Sequence, residues 1–205
     1  MTNKFNQIIK NIKKIEKQIT KLNKKFEILK EKCYNVNNRS NFQKGLIMEN
    51  LEKVNVFDVA KYLLNNCPQK YGTGITQMQK LLYYAQGEHL IRYQQPLFTE
   101  EIQAWPLGPV VAHVYYQFVK CRSEKKDFFE YNCSKKILTK KILDILDLVL
   151  KKHGYKEPQT LIEQTHNEDP WKNTYHPNKK FSNSVISHEK IYLFFKIKNN
   201  YFNFY

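Results

Sequence analysis

The chain has 205 residues, with 34 Lys or Arg against 19 Asp or Glu for a net charge of +15, and 41% of it is hydrophobic. That much apolar material excludes a disordered tail, and 6 Gly with 7 Pro exclude a collagen-like or low-complexity chain. The longest apolar stretches, such as Ile142 to Leu150, are broken by Asp144 and Asp147 and fall short of the roughly 18 residues a bilayer span needs, so a soluble protein is expected.

From the N-terminus, Met1 to Gln7 lead into alternating Ile and Lys, which predicts no secretory leader. Residues 1 to 47 carry 12 basic and 3 acidic side chains, and residues 48 to 205 carry 22 and 16. Within this basic arm Phe5, Ile8, Ile12, Ile15, Ile19, Leu22, Phe26, Leu29 and Cys33 recur at alternating intervals of 3 and 4. The pattern predicts a coiled-coil-like helix over 1–34. So narrow an apolar stripe stays wet on a single helix, and it needs another copy, the body or another protein to cover it. Lys4, Lys25 and Lys32 at g and Lys30 at e, answered only by Glu16, oppose a parallel homodimer, so self-association and docking on an acidic surface both remain open. Residues 35–48 read as a linker, with Met48 able to begin an independent domain over 49–205.

The body reads as short helices with strong stops, mainly α with at most a small β element. Asn55 caps a helix through Asn66, stopped by Cys67-Pro68. Thr76 and Gln79 fit a capping box for the next helix, which runs to about Tyr93 and buries Met78, Leu81, Leu82, Ala85 and His89 or Leu90. Glu101 to Trp105 alternates as a short strand, closed by Pro106-Leu107-Gly108-Pro109. Pro109 suits the first turn of a third helix carrying Val110, Val111, Val114, Tyr115, Phe118 and Val119. A fourth helix is expected from Thr139 to Lys152, a fifth from Pro158 to before Asp169, and a sixth after Ser187.

Chemistry-bearing motifs are absent from this pattern. No phosphate-binding glycine loop, H-E-x-x-H or G-x-S-x-G occurs, so an enzyme is not expected and no catalytic residue is assigned. His166 to Asp169 with His176 match no metal-site spacing, and neither a metal nor a cofactor is expected. Cys33, Cys67, Cys121 and Cys133 form no C-x-x-C pair, which suits reduced thiols of a cytoplasmic protein. Of the basic residues 31 are Lys and 3 are Arg, beside 20 Asn, a composition that points to a solvated surface rather than a dedicated nucleic-acid site. Tyr83, Tyr84, Tyr93, Trp105, Tyr115, Tyr116 and Arg92 are instead the side chains that dominate protein contacts, if they do not line the core.

The run from Ile75 to Leu90, then Pro96 to Trp105, then Gly108 to Val111, followed by Thr165-His-Asn-Glu-Asp-Pro-Trp171, resembles the Panacea domain, the SocA-like or GepA-like antitoxin family. The resemblance implies an antitoxin of bacterial or mobile-element genomes, neutralising a cognate protein toxin by direct binding, or, as in the SocA branch, delivering it to a ClpXP-type protease. It implies no enzymatic role. The signature positions Gln79, Tyr83, Gln86, Trp105, Gly108, Pro109, His166 and Trp171 are expected to serve partner binding or the fold. The alternative is a nucleic-acid-binding regulator of a mobile genetic element that uses the arm as a basic grip.

Overall fold

Helix Ile75–Tyr93 is apolar at Met78, Leu81, Leu82, Tyr83, Tyr84, Ala85 and Leu90, on more than one face, and residues 77 to 90 are all buried. A helix buried on all sides lies inside a molecule, and much of the body packs around this one. The computed structural model describes residues 10, 11, 13–21, 25, 54–68, 74–134, 137–177 and 184–202. The chain divides into two compact units, Met1–Met48 and Glu49–Tyr205.

In the first unit residues 13–21 are helical, and Ile15 and Ile19 are 54% and 51% exposed. The other members of the expected seam, Phe5, Ile8, Ile12, Leu22, Phe26, Leu29 and Cys33, lie outside the described residues, as does the 35–48 segment.

In the second unit, the described elements are α1 (Val56–Asn66), α2 (Ile75–Tyr93), β1 (Ile102–Trp105), β2 (Gly108–Val111), α3 (Ala112–Ser123), α4 (Phe128–Asn132), α5 (Lys140–Val149), a π-helical turn (Leu150–Gly154), α6 (Pro158–His166), α7 (Asp169–Lys172) and α8 (His188–Phe202). The body is mainly α with one small sheet, as the sequence leads one to expect. Asn55 caps α1 by accepting from the Phe57 N–H at 2.8 Å, and Ser187 caps α8 by accepting from the Lys190 N–H at 3.3 Å. Helices α1, α3, α5, α6 and α8 and strand β2 all pack on α2.

Polar side chains on α2 bind the connections to the core. Gln86 Oε1 accepts from the N–H groups of Leu97 (2.9 Å) and Phe98 (3.2 Å), while its Nε2 donates to Phe98 O at 3.1 Å. One side chain thus closes the turn where α2 ends, at left-handed Gln94. Gln77 Nε2 donates to the carbonyls of Gly154 and Lys156, both at 3.2 Å, and Glu88 accepts from Lys152 at 2.7 Å. Leaving any of these groups unmade inside the core costs about 1–3 kcal/mol, so they select one arrangement of the surrounding segments.

Four expectations require correction. Thr76 and Gln79 form no capping box: α2 starts two residues earlier, at Ile75 behind Gly74, and Gln79 Oε1 accepts from the Val111 N–H at 2.7 Å instead. Pro109 lies in β2 opposite Ala104, not in a first helical turn, because the chain reverses through Pro106 and Leu107 into a hairpin and α3 begins only at Ala112. The expected Thr139–Lys152 helix stays α-helical to Val149 and then widens into the π turn, which carries His153 into a flat stack on Tyr84, 3.8 Å between ring centroids. Short α4 and α7 were not expected; Asp127 caps the first through the N–H groups of Phe129 and Glu130.

The approach of α8 to α2 is set by Gly87. A Cβ there would sit 2.6 Å from Cε2 of Phe195, whose ring is pinned edge-on against Tyr83. Alanine gains about 1 kcal/mol of helix propensity but overpacks the contact by about 2–3 kcal/mol. Gly87→Ala is therefore expected to lower stability by about 1–2 kcal/mol in urea denaturation.

Candidate functional site

The hairpin, the start of α2 and the α6–α7 corner meet at one place. Ile102, Gln103, Ala104 and Trp105 pair antiparallel with Val111, Val110, Pro109 and Gly108. Gly108 has φ +102°, and a Cβ on it would fall 2.7 Å from Thr165 Oγ1 and 2.8 Å from Lys80 Cε. Only glycine meets both the backbone conformation and the space, and its absence of a side chain lets α2 and α6 close on the hairpin.

Trp171 locks the corner from the far side. Its Nε1 donates to Trp105 O at 2.9 Å, and its ring is sandwiched between His166 at 3.9 Å and Tyr175 at 4.7 Å. Burial and the nearby Lys80 ammonium hold His166 below the usual histidine range, against a backbone hydrogen bond at Pro106. On the other side Trp105 packs edge-on against Tyr115 (4.9 Å) and Tyr116 (5.9 Å), with its Nε1 donating to Gln103. Leu107 and Tyr116 are each 57% exposed.

Beneath this surface lies a pocket of about 310 Å³ between Ile75, Thr76, Gln79, Lys80 and the hairpin's Trp105, Pro106, Leu107 and Val110, with Tyr115. Lys80 is buried and donates to Pro109 O at 3.1 Å. No carboxylate among the described residues pairs with it, and desolvation pushes its ammonium down to about 7. Gln79 Nε2 is buried without a partner.

Of the signature residues named from the sequence, Gln79, Trp105, Gly108, Pro109, His166 and Trp171 come together here. Tyr83 and Gln86 do not: Tyr83 packs between Tyr84 and Phe195, and Gln86 holds the turn after α2 and contacts His188 at 2.9 Å. Of the contact-type aromatics, Tyr83 and Tyr84 are core residues, Trp105 and Tyr115 are half-buried, and Tyr93, Tyr116 and Arg92 are exposed. Thr165 is placed here without having been assigned a role from sequence; its hydroxyl donates to the carbonyls of Leu161 and Ile162 and leaves no outward polarity to notice.

A second polar cluster lies deeper. Glu168 accepts from Lys198 at 3.1 Å and Tyr84 at 3.3 Å, and Lys156 donates to Gln164 at 2.8 Å. Burial, with Lys156, Lys198 and Lys152 around it, pushes His153 down to about 3. This cluster joins α2, α6 and α8. No group of three or more His, Cys, Asp or Glu able to hold a metal occurs among the described residues, and no described helix is long and apolar enough to cross a membrane.

Residues 78–172 match the family described as Antitoxin SocA-like, Panacea domain. No curated protein and no solved structure matches the chain. The matched stretch runs from the first turn of α2 through α7, so the hairpin, the pocket's Gln79 and Lys80, and the Trp171 lock all lie within it. The family match over those residues agrees with the resemblance read from the sequence.

Lys80 gives this corner a pH signature. Below about pH 7 the amine is charged both folded and unfolded, and the folded state carries the whole burial penalty. Between there and its ordinary value near 10.4 the unfolded chain binds more protons, so stability rises with pH. The penalty is on the order of 3–5 kcal/mol, against about 1–3 kcal/mol for stranding Pro109 O once the amine is gone. Lys80→Met is therefore expected to be more stable than the parent by about 1–3 kcal/mol at pH 6, with the gap closing or reversing by about pH 10. Urea denaturation of both proteins at the two pH values checks it.

Proposed function

We propose that this chain is a Panacea-domain antitoxin that neutralises a cognate protein toxin by holding it directly, without catalysis. The observation that carries the reading is the family match over residues 78–172. The surface of the same segment suits the role. Trp105, Tyr115 and Tyr116 form an aromatic group beside exposed Leu107, displayed on a two-residue turn whose shape is fixed by Pro106 and Gly108. Flat amphipathic rings on a preordered support lose little conformational entropy when a partner covers them, which is how a small patch acquires most of a binding free energy.

On this reading the complex is cytoplasmic, its genes sit together on a bacterial or mobile genome, and the toxin is blocked rather than consumed. The arm's exposed Ile15 and Ile19 take part by self-association or by gripping the toxin. Delivery to a ClpXP-type protease is the finer variant, and it differs in one observable: a blocked toxin stays at its original level and co-purifies, whereas a delivered toxin disappears.

Co-expression with the protein encoded beside it tests the proposal. The parent chain is expected to restore growth, and Leu107→Glu/Tyr116→Glu to lose that rescue with at least about a 10-fold weaker complex while keeping the parental thermal transition. Both positions are exposed, so a folding defect is not the expected cause. Rescue that survives the double change removes the hairpin as the contact surface. Failure of the parent chain to protect against any flanking product removes the antitoxin reading itself.

A further inference from the structure

The face that joins the hairpin to α3 has three adjoining parts. The first is a socket, the pocket of about 310 Å³ between Ile75, Trp105, Pro106, Leu107, Val110 and Tyr115. Gln79 and Lys80 underlie it at 2% and 1% exposure, so their polar ends are sealed and the opening presents ring and hydrocarbon surface. The second part is an apolar track. Trp105, Tyr115 and Tyr116 pack edge to face on one another, and Tyr116 is followed at the helical spacings of 3 and 4 by Val119 and Lys120, all three exposed. The third is a basic end, where Lys120, Arg122 and Lys125 are exposed over the last turn of α3 and the residues after it. The acids beside them are already committed: Glu124 pairs with Lys126 at 2.7 Å, and Asp127 accepts from the N–H groups of Phe129 and Glu130.

A partner gains nothing by joining this face as a strand. The outward groups of β2, Val111 N–H and Pro109 O, are taken by Gln79 and Lys80, and on the far side of β1 Ala104 N–H and Ile102 O pair with 184–186. Both strands of the hairpin are thus closed at their outer edges, and an extended peptide finds no backbone bonds there. A helix needs none, since its own are internal.

We propose that this face seats an amphipathic helix of the partner, with one large apolar side chain in the socket, further apolar residues a turn along against Tyr116 and Val119, and acidic residues at the end that lies over Lys120 and Arg122. The proposal rests on the antitoxin reading for the owner of that helix, the toxin. Covering the socket and the track removes grouped apolar surface from water and supplies affinity, while the charges set direction and partner choice. An acidic helix is drawn to a chain of net charge +15, whereas a basic one meets like charges at Lys120 and Arg122. A nucleic acid would meet the cations and leave the socket and the track wet.

Three synthetic helices test it, each about five turns long, with one Phe and Leu stripe in common and flanks of Glu, Gln or Lys. Titrated into the full-length chain and followed by NMR at the Trp105 indole N–H and the Leu107 and Val119 amides, the Glu-flanked helix is expected to saturate. The Gln-flanked helix is expected to bind about 10-fold more weakly and the Lys-flanked helix not to bind. Ile75→Trp, which fills the socket from its half-buried wall, is expected to weaken the Glu-flanked helix by about 10-fold. Lys120→Glu/Arg122→Glu is expected to keep the parental thermal transition, since both positions are exposed, and to invert the preference toward the Lys-flanked helix. General attraction to a basic chain predicts no inversion, because two reversals of two charges each lower +15 only to +11. In growth rescue beside the flanking toxin the same double reversal is expected to fail. The proposal is overturned if no helix saturates, if the shifts fall away from Trp105, Leu107 and Val119, if Ile75→Trp binds unchanged, if the preference stays with Glu after reversal, or if the reversal rescues as well as the parent. A parent chain that binds the Glu-flanked helix and protects against no flanking product keeps the docking surface and removes the antitoxin reading, so the two fail separately.

Discussion

A buried helix that carries polar side chains has no tolerance for misplaced neighbours. On α2, Gln77, Gln79, Lys80, Gln86, Glu88 and His89 all sit inside the molecule, and each reaches a group outside the helix. Apolar packing alone accepts many near-equivalent arrangements; an amide that must find its carbonyl accepts one. The turn after the helix, the edge of the hairpin, the π turn and the loop before α6 are therefore held by hydrogen bonds from a common axis, while Leu81, Leu82, Tyr83 and Tyr84 supply the burial that drives collapse.

The hairpin depends on this axis twice over. Gln79 receives the Val111 N–H and Lys80 donates to Pro109 O, so two consecutive helical residues grip the same strand from the side opposite its pairing with β1. Residues 184–186 complete the sheet, with the Ala104 N–H donating to Ser184 O and the Ile186 N–H to Ile102 O. A hairpin of two four-residue strands is not stable by itself in water. Here it is clamped by α2, extended by 184–186 and tied to Trp171 by the Trp105 carbonyl, and the exposed ring group inherits that rigidity.

Much of this was legible in the sequence because it follows local rules. Asn55, Ser187, Pro158 and the 3–4 spacing of Ile142, Ile145, Leu146 and Val149 announce their elements without reference to anything distant. The misread positions are those where a distant contact overrides the local preference. Thr76 and Gln79 have the right spacing for a cap, but Gln79 has a use 32 residues away that a cap would forfeit. Pro109 is compatible with a first helical turn and with a strand position that gives no N–H to a neighbour, and only the Gly108 approach to Thr165 and Lys80 decides between them. The site is similar. Glycine, tryptophan and proline in the motif announced a fixed structure, and Lys80 stood among the motif's positions, but only the structure shows that it is buried.

That lysine bears on how the corner divides between fold and function. A methionine would fill its volume and avoid the desolvation that depresses its pKa, and Pro109 O alone is a modest return for burying an amine. Gln79 presents the same imbalance, since a side chain with one satisfied end and one stranded end costs more than an apolar residue that lets Val111 find another acceptor. Two adjacent residues each carry a donor that the folded chain leaves without full compensation. Elsewhere on α2, Gln77 and Gln86 have partners at their amide nitrogens. Tyr83 Oη on the same helix and His153 Nδ1 beside Tyr84 also lack a hydrogen-bond partner among the described residues, so the axis that fixes its neighbours does so with part of its own polarity left uncompensated.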